Sequence, residues 1–462
     1  MITFNYLEMK RTLIIVLLLV TGVSKGADMK VGIASRPITP PLPFWMSGYA
    51  VRNAPSTEVL HDIWAKAMVI EKNEKNRVVI VTTDLLGLSP EISEGIAQRV
   101  EKKHGVDRSQ LLLNSSHTHC GPAVWPSLSM IFDFSPEDQR KAVNYNLKLI
   151  EDIVDIIDSA FAKLTPMQLW SGHGSTDFAM NRRQPTDHGI INGINPKGPV
   201  DHDVPVLIAK TPDGKIRAIL FGYACHNTTL GGNSINISGD YAGFAQIELQ
   251  KAYPEATALF FIGCAGDQNP QPRGTVDLAM QHGKSLTDAV QKVLLSNNLK
   301  PIYPPIRTAY QKVSLGFQSF NIDSCRSDIL SSDIFKQRRA KLMLEAYNKN
   351  WDISEYTYPL QVVRFNRDLT ILAMGDEVVV DYSLKMKKKY RNENLFVAGY
   401  CNQVMCYIPS KRVLEEGGYE AETSMIYYGL PGPFKNEIED RITIAVSKLM
   451  KEVGVKTSKN NK

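Results

Sequence analysis

In Leu111-Leu112-Leu113-Asn114-Ser115-Ser116-His117-Thr118-His119-Cys120-Gly121-Pro122 an apolar run breaks off into a cluster of polar side chains. Three leucines mark the end of a buried strand, and Gly121-Pro122 stops the segment. Along an extended chain the side chains at i and i+2 point the same way, so His117 and His119 project together. The mouth of a sheet is where α/β proteins build their sites. Other strand ends must then bring partners to these two histidines.

Four further apolar runs end in the same manner. Ile219–Tyr223 leads to His226, and Leu259–Ile262 to Asp267-Gln268-Asn269-Pro270. Leu369–Ala373 leads to Asp376-Glu377, and Leu395–Ala398 to Tyr400 and Asn402, continuing to Tyr407. Helix signals fall between the runs. Ser89-Pro90-Glu91 supplies a cap, a first-turn proline and a first-turn acid for a helix ending near His104-Gly105. Ser135-Pro136-Glu137-Asp138 opens a longer one, with Leu147, Ile150, Ile153, Val154 and Ile157 on its apolar side. Asp240 caps a helix to about Tyr253, and further helices are expected over Asp277–Leu295, 325–349, from about Glu377, and near Asn436–Val453. Asp213-Gly214 is a turn between Val204–Ala209 and Ile216–Tyr223, and 171–203 reads as long loops. The alternation predicts an α/β fold: one large domain, a mixed sheet flanked by helices, and a site at the strand ends.

Composition narrows the class. Of 462 residues, 43% are hydrophobic and 22% charged, as in a folded globular protein. The net charge of +5 lies partly in the Lys-rich tail, 455–462. No basic stripe interleaved with aromatics is present, which argues against nucleic acid as a partner. Lys10-Arg11, the apolar run Leu13–Val23 and the small residues Ser24 and Gly26 read as a secretory signal peptide over 1–26, so the expected location is secreted or periplasmic. That run is too short for a membrane span, and no span is expected in the mature chain, 27–454 plus tail. The six cysteines match no zinc ribbon or disulfide framework, and buried free thiols are the simplest reading.

Imidazoles and a carboxylate suit zinc or a similar divalent ion, which makes hydroxide available near neutral pH. Read one at a time the pieces are blander. His226 is a buried, hydrogen-bonded histidine, Glu377 a first-turn acid, Asp267–Pro270 a turn, and Tyr407 a half-buried core residue. The Lys-rich run 386–391 is a solvated helix face.

At these same residues the chain resembles the neutral (non-lysosomal) ceramidase family, bacterial branch, from about Val31 to Gly429. His117-Thr118-His119-Cys120-Gly121-Pro122 is close to its signature T-H-T-H-S-G-P. Ile33–Pro41 with Gly48-Tyr49 is similar to its D-I-T-P-P … G-Y opening, although Arg36-Pro37 replaces the usual acid region. The resemblance implies one zinc ion per chain held by His117, His226, Glu377 of Gly375-Asp376-Glu377-Val378, and Tyr407 of Tyr407-Ile408-Pro409. It also implies that His119 contacts substrate or water. Tyr419 of Tyr419-Glu420-Ala421 would line the site, and Arg182 of Asn181-Arg182-Arg183 would be the active-site arginine.

The implied activity is amide hydrolysis, by default of ceramide to sphingosine and fatty acid, through a zinc-activated water. Tyr419 or His119 would stabilise the oxyanion, and His119 would protonate the leaving amine. Arg182 would position substrate or Tyr407, while Asp240 and Asp267 would orient the histidines, with Asn269 nearby. Two departures widen the substrate question. Asn269 stands where the family's G-D-V-S-P-N has its serine, which closes a serine-nucleophile route there. Only one helix is expected after Gly429, so the family's immunoglobulin-like domain is expected to be missing. Deacylation of N-acylated sugars or of another lipid amide or ester therefore competes with ceramide hydrolysis. A non-catalytic, metal-retaining binding protein and a two-metal phosphoesterase are the other classes. The partner is a small-molecule or lipid amide, and contact with a membrane surface is compatible with it.

Overall fold

The structure is a computed structural model that describes residues 29–456; the segment 1–26 expected to be a signal peptide and nearly all of the Lys-rich tail lie outside the described residues. The central run Ala65–Ile70 of strand Trp64–Asn73 and nearly all of strand Asn76–Thr83 are buried, which requires cover on both faces of their sheet. The main sheet runs in the order 257–262, 216–223, 203–210, 165–175, 29–37, 64–73, 76–83, 111–115, with 300–302 added beside 165–175. It is antiparallel except at its two ends, where 216–223 lies parallel to 257–262 and 76–83 to 111–115. A second sheet of four strands runs 306–316, 355–365, 369–374, 395–398, and only its last pair is parallel.

Side-chain alternation sets the layers. Leu207 and Ala209 face inward, in a core that joins Ile80 and Leu112 to Val363, Ile371 and Phe396 of the second sheet. Val206 and Ile208 face the other way, onto the helices Asp240–Ala252 and Val276–Leu295. Helices Pro90–His104 and Pro136–Ala162 cover the rest of that outer face. Helix Ile438–Glu452 covers the outer face of the second sheet through Val446 and Leu449. The result is α/β with a mixed main sheet flanked by helices, as expected, but with a second sheet stacked against it.

Several local expectations change. Leu147 is exposed and Leu149 takes the buried position on its helix. The span 325–349 is two helices, Ile322–Asp328 and Ile334–Asn348, because Asn321 and Asp333 each cap a new start. The stretch 171–203 contains the hairpin Ala179–Thr186 with Gly189–Asn195, whose buried polar residues hid its strands. Glu377 does not open a helix: Glu377–Val378 pairs in parallel with Tyr407–Ile408, and the helix begins at Val380. Lys387, in the supposed solvated run, is tied to Asp201 and Asp203. All six cysteines are free and buried.

Candidate metal centre and pocket

The three parallel strand pairs of the two large sheets all end on one side of the molecule, and the residues that follow them turn into one cavity. The strand Leu111–Ser115 stops short of the histidines, and His117 adopts φ +61°. That left-handed turn, rather than the pleat of an extended strand, brings His117 and His119 together. Asp376 at φ +60° and Tyr400 at φ +54° make similar reversals after the second sheet's parallel pair. Such backbone costs about 1–3 kcal/mol per residue and persists where the surroundings enforce it.

His117 Nδ1 lies 2.7 Å from the Leu86 carbonyl, and His226 Nδ1 lies 2.6 Å from the Ala265 carbonyl. A carbonyl cannot donate, so each ring carries its hydrogen on Nδ1, and in a neutral ring Nε2 is a lone pair. Glu377 Oε2 sits 3.0 Å from His117 Nε2 and 3.1 Å from His226 Nε2. His119 Nε2 is 3.2 Å from His117 Nε2, and ligand atoms of the three histidines lie within 4.8 Å of one another. Burial and the nearby Arg182 charge pull His226 down to about 4, so it is neutral near pH 7. Burial alone would raise the Glu377 carboxyl, but the electrostatics of the adjacent His117 and His226 rings outweigh it and hold the group well below the usual range. Lone pairs and a carboxylate thus converge with no hydrogen between them, and a cation satisfies that arrangement. These residues therefore fit a bound metal ion.

The three histidines are not equivalent. Metal-ligating histidines generally donate their other N–H to an acceptor. His117 and His226 do so, whereas the buried Nδ1 of His119 has no partner. Packing holds His119 instead. Tyr49 meets its ring edge-on at 4.8 Å, and Arg52 donates to its carbonyl at 2.6 Å. Gly48, at φ +100°, is required there, since a Cβ would stand 2.5 Å from the His119 ring. Burial and the other two histidines push the His119 pKa well below its ordinary value.

A second layer of contacts holds the acid and the tyrosines. The Tyr428 hydroxyl donates to Glu377 Oε1, leaving Oε2 for the centre. Tyr407 OH lies 3.4 Å from His226 Nε2 and 3.0 Å from Arg182 Nη2. Arg182 Nη1 is 3.3 Å from His226 Nε2 and 3.4 Å from Asn269 Oδ1. Arg182 Nε donates to Glu420 Oε1 at 2.7 Å, and Arg183 to Glu420 Oε2 at 2.6 Å. Burial opposes the Arg182 charge, but Tyr407 and Glu420 outweigh it, so Arg182 stays protonated. Tyr419 packs edge-on against Tyr407, with ring centres 5.3 Å apart.

The acids expected to orient the histidines do something else. Asp240 accepts from the backbone N–H groups of Leu230 and Tyr241. Asp267 accepts from Val380 N at 2.8 Å, starting the helix after Glu377, and from Asn181 Nδ2 at 3.0 Å. Neither touches an imidazole, because backbone carbonyls already fill that role. Burial pushes the Asp267 carboxyl up to about 6. Asn269 does reach the cavity, between Arg182 and Thr228. Sequence reading missed Glu420, Tyr428, Gly48, Tyr49 and Arg52 as working parts. Gly48-Tyr49 and Glu420 stood in the quoted patterns but carried no role.

The cavity over the centre measures about 220 Å³. One wall is a packed apolar cluster including Leu86, Leu128, Ile131 and Tyr428, with Tyr419 and Tyr427 against it. The lining also has polar members outside that cluster, among them Asn192, Thr228, Asn269 and Arg273. Among the described residues no helix is long and apolar enough to cross a membrane.

An α/β sandwich with a buried imidazole–carboxylate cluster at its strand ends defines a scaffold with a candidate metal site. The chain belongs to the neutral/alkaline non-lysosomal ceramidase family: that family's N-terminal profile matches residues 29–292, more than half of the chain. It is 27% identical over 210 residues to the neutral ceramidase of Pseudomonas aeruginosa, covering 43% of this chain and 30% of that protein. It is 22% identical over 251 residues to the neutral ceramidase of Mycobacterium tuberculosis, covering 50% of this chain and 38% of that one. These alignments span well under half of the relatives' length. The crystal structure of the Pseudomonas aeruginosa neutral ceramidase superposes with a TM-score of 0.72 at 17% identity, over 93% of this chain and 76% of that one. At that identity the likeness concerns the fold.

Proposed function

We propose that this protein is a zinc-dependent amidohydrolase that cleaves an N-acyl bond, with zinc held by His117, His226, Glu377 and Tyr407. The observation that carries the reading is the meeting of Glu377 Oε2 with the Nε2 atoms of His117 and His226 at 3.0 and 3.1 Å, beside an open cavity. Bound there, zinc would supply Lewis acidity and a nucleophile at neutral pH. The chain's own groups do the rest. His119, neutral and with an unpartnered Nδ1, accepts a proton from the attacking water and returns it to the leaving nitrogen. Arg182 fixes the Tyr407 hydroxyl, and Tyr419 lines the space where the oxyanion forms. The apolar wall receives the acyl chain. Ceramide is the family default, and other N-acylated amines share the scissile bond. Residues 1–26 are proposed to direct export.

His117→Ala should lose both metal and activity, while His119→Ala should keep metal and lose activity. Full zinc occupancy in the His117→Ala protein would sink the ligand assignment.

A further inference from the structure

Arg273 is the cavity residue that the proposed reaction leaves without a task. Its loop is pinned on three sides. Gln271 N donates to the Phe178 carbonyl, Gly274 N to the Thr229 carbonyl, and the buried His282 to the Pro272 carbonyl at 2.6 Å. Prolines 270 and 272 stiffen it further. A rigid loop thus carries an exposed guanidinium to the rim of the cavity, and it pairs with no carboxylate among the described residues. The other charges lining the cavity are accounted for. Arg182 is matched by Glu420, and Glu377 faces the metal centre. A bound divalent ion would outweigh that single carboxylate and leave a cavity of net positive charge.

The position of the charge matters as much as its sign. Arg273 belongs to the polar part of the lining, with Asn192, Thr228 and Asn269, and is not among the residues of the apolar cluster. If the acyl chain lies on the apolar wall, the substituents of the amine face Arg273. Ceramide would present neutral hydroxyls there. A volume of about 220 Å³ also suits a compact head group better than a whole two-chain lipid.

We infer that the preferred substrate is an N-acylated amine bearing an anionic group close to the amide nitrogen, a carboxylate or a sulfonate, held by Arg273. This deepens the hydrolase reading and rests on it for orientation. The test compares matched substrates on the zinc-loaded full chain: N-lauroylglycine and N-lauroyltaurine, against neutral N-lauroylethanolamine. A charge-assisted contact at a partly exposed arginine should favour an anionic member by about tenfold in kcat/KM. In Arg273→Gln that ratio should fall to near one, and in Arg273→Lys it should be partly kept. Arg217→Gln, which removes an exposed arginine paired with Glu255 elsewhere, should leave the ratio intact. A neutral preference in the native protein would overturn the inference. So would an anionic preference that survives Arg273→Gln, because the carboxylate would then be binding the metal. Calorimetric binding of the same compounds separates the two proposals. Anion-selective, Arg273-dependent binding without turnover keeps Arg273 as the anion contact and rejects the hydrolase reading, whereas unselective binding rejects this inference.

Discussion

Two separate polar clusters combine histidine with acids. In the first, His173 Nδ1 donates to Asp203 at 2.8 Å and Nε2 to Asn394 at 2.6 Å, while Lys387 pairs with Asp201 and Asp203. Each charge there meets its opposite. In the second, the Nε2 atoms of His117 and His226 face a carboxylate, and His119 Nδ1 faces nothing. Histidines and acids are common to both. What separates a candidate site from a structural network is hydrogen bonding left incomplete inside a buried cavity.

Substitutions should divide along the same line. The largest effect is expected from His117→Ala, with metal affinity falling by more than the roughly 10–100-fold that outer partners cost; metal content after dialysis reads it. His119→Ala should lower kcat by about 10²–10⁴-fold at unchanged metal content. Gly48→Ala places a Cβ 2.5 Å from the His119 ring at a φ of +100°, so it should cost about 1–3 kcal/mol of stability and depress turnover as His119 is displaced. Tyr428→Phe frees Glu377 Oε1 and should weaken metal binding by about tenfold, readable by competition with a chelator.

The smallest effect belongs to the first cluster. Burial opposes the His173 charge, but Asp203 and Asn394 raise its pKa above the ordinary value. A raised histidine stabilises fully below its unfolded value and loses that contribution as pH rises through the folded one. His173→Gln should therefore cost about 1 kcal/mol below pH ~6.5, discounted for its exposure, and less at higher pH. Denaturant titrations across that range check it, and metal content should not change.

The contrast also explains what could be read in advance. Apolar runs that break into polar residues are local signals, and all five strand ends converge as their pattern implied. Helix starts at Ser89 and Ser135 were legible because a cap and a proline suffice. The stacking of two sheets was not, since strands buried on both faces read as uninterrupted apolar runs. Arg182 meets Glu420 across 238 positions of chain, and Tyr428 meets Glu377 across 51. No spacing rule links such pairs. Asp240 and Asp267 misled because backbone N–H groups, invisible in a sequence, claim their carboxylates.

The central claim is that His117 and His226 bind one metal ion while His119 stands beside it. X-ray absorption at the zinc edge on the native protein and on His119→Ala tests this most directly. The account predicts one zinc per chain, two imidazole nitrogens in its coordination sphere, and the same count in the variant. A third imidazole that disappears in His119→Ala, or a native protein that retains no stoichiometric metal, would contradict it.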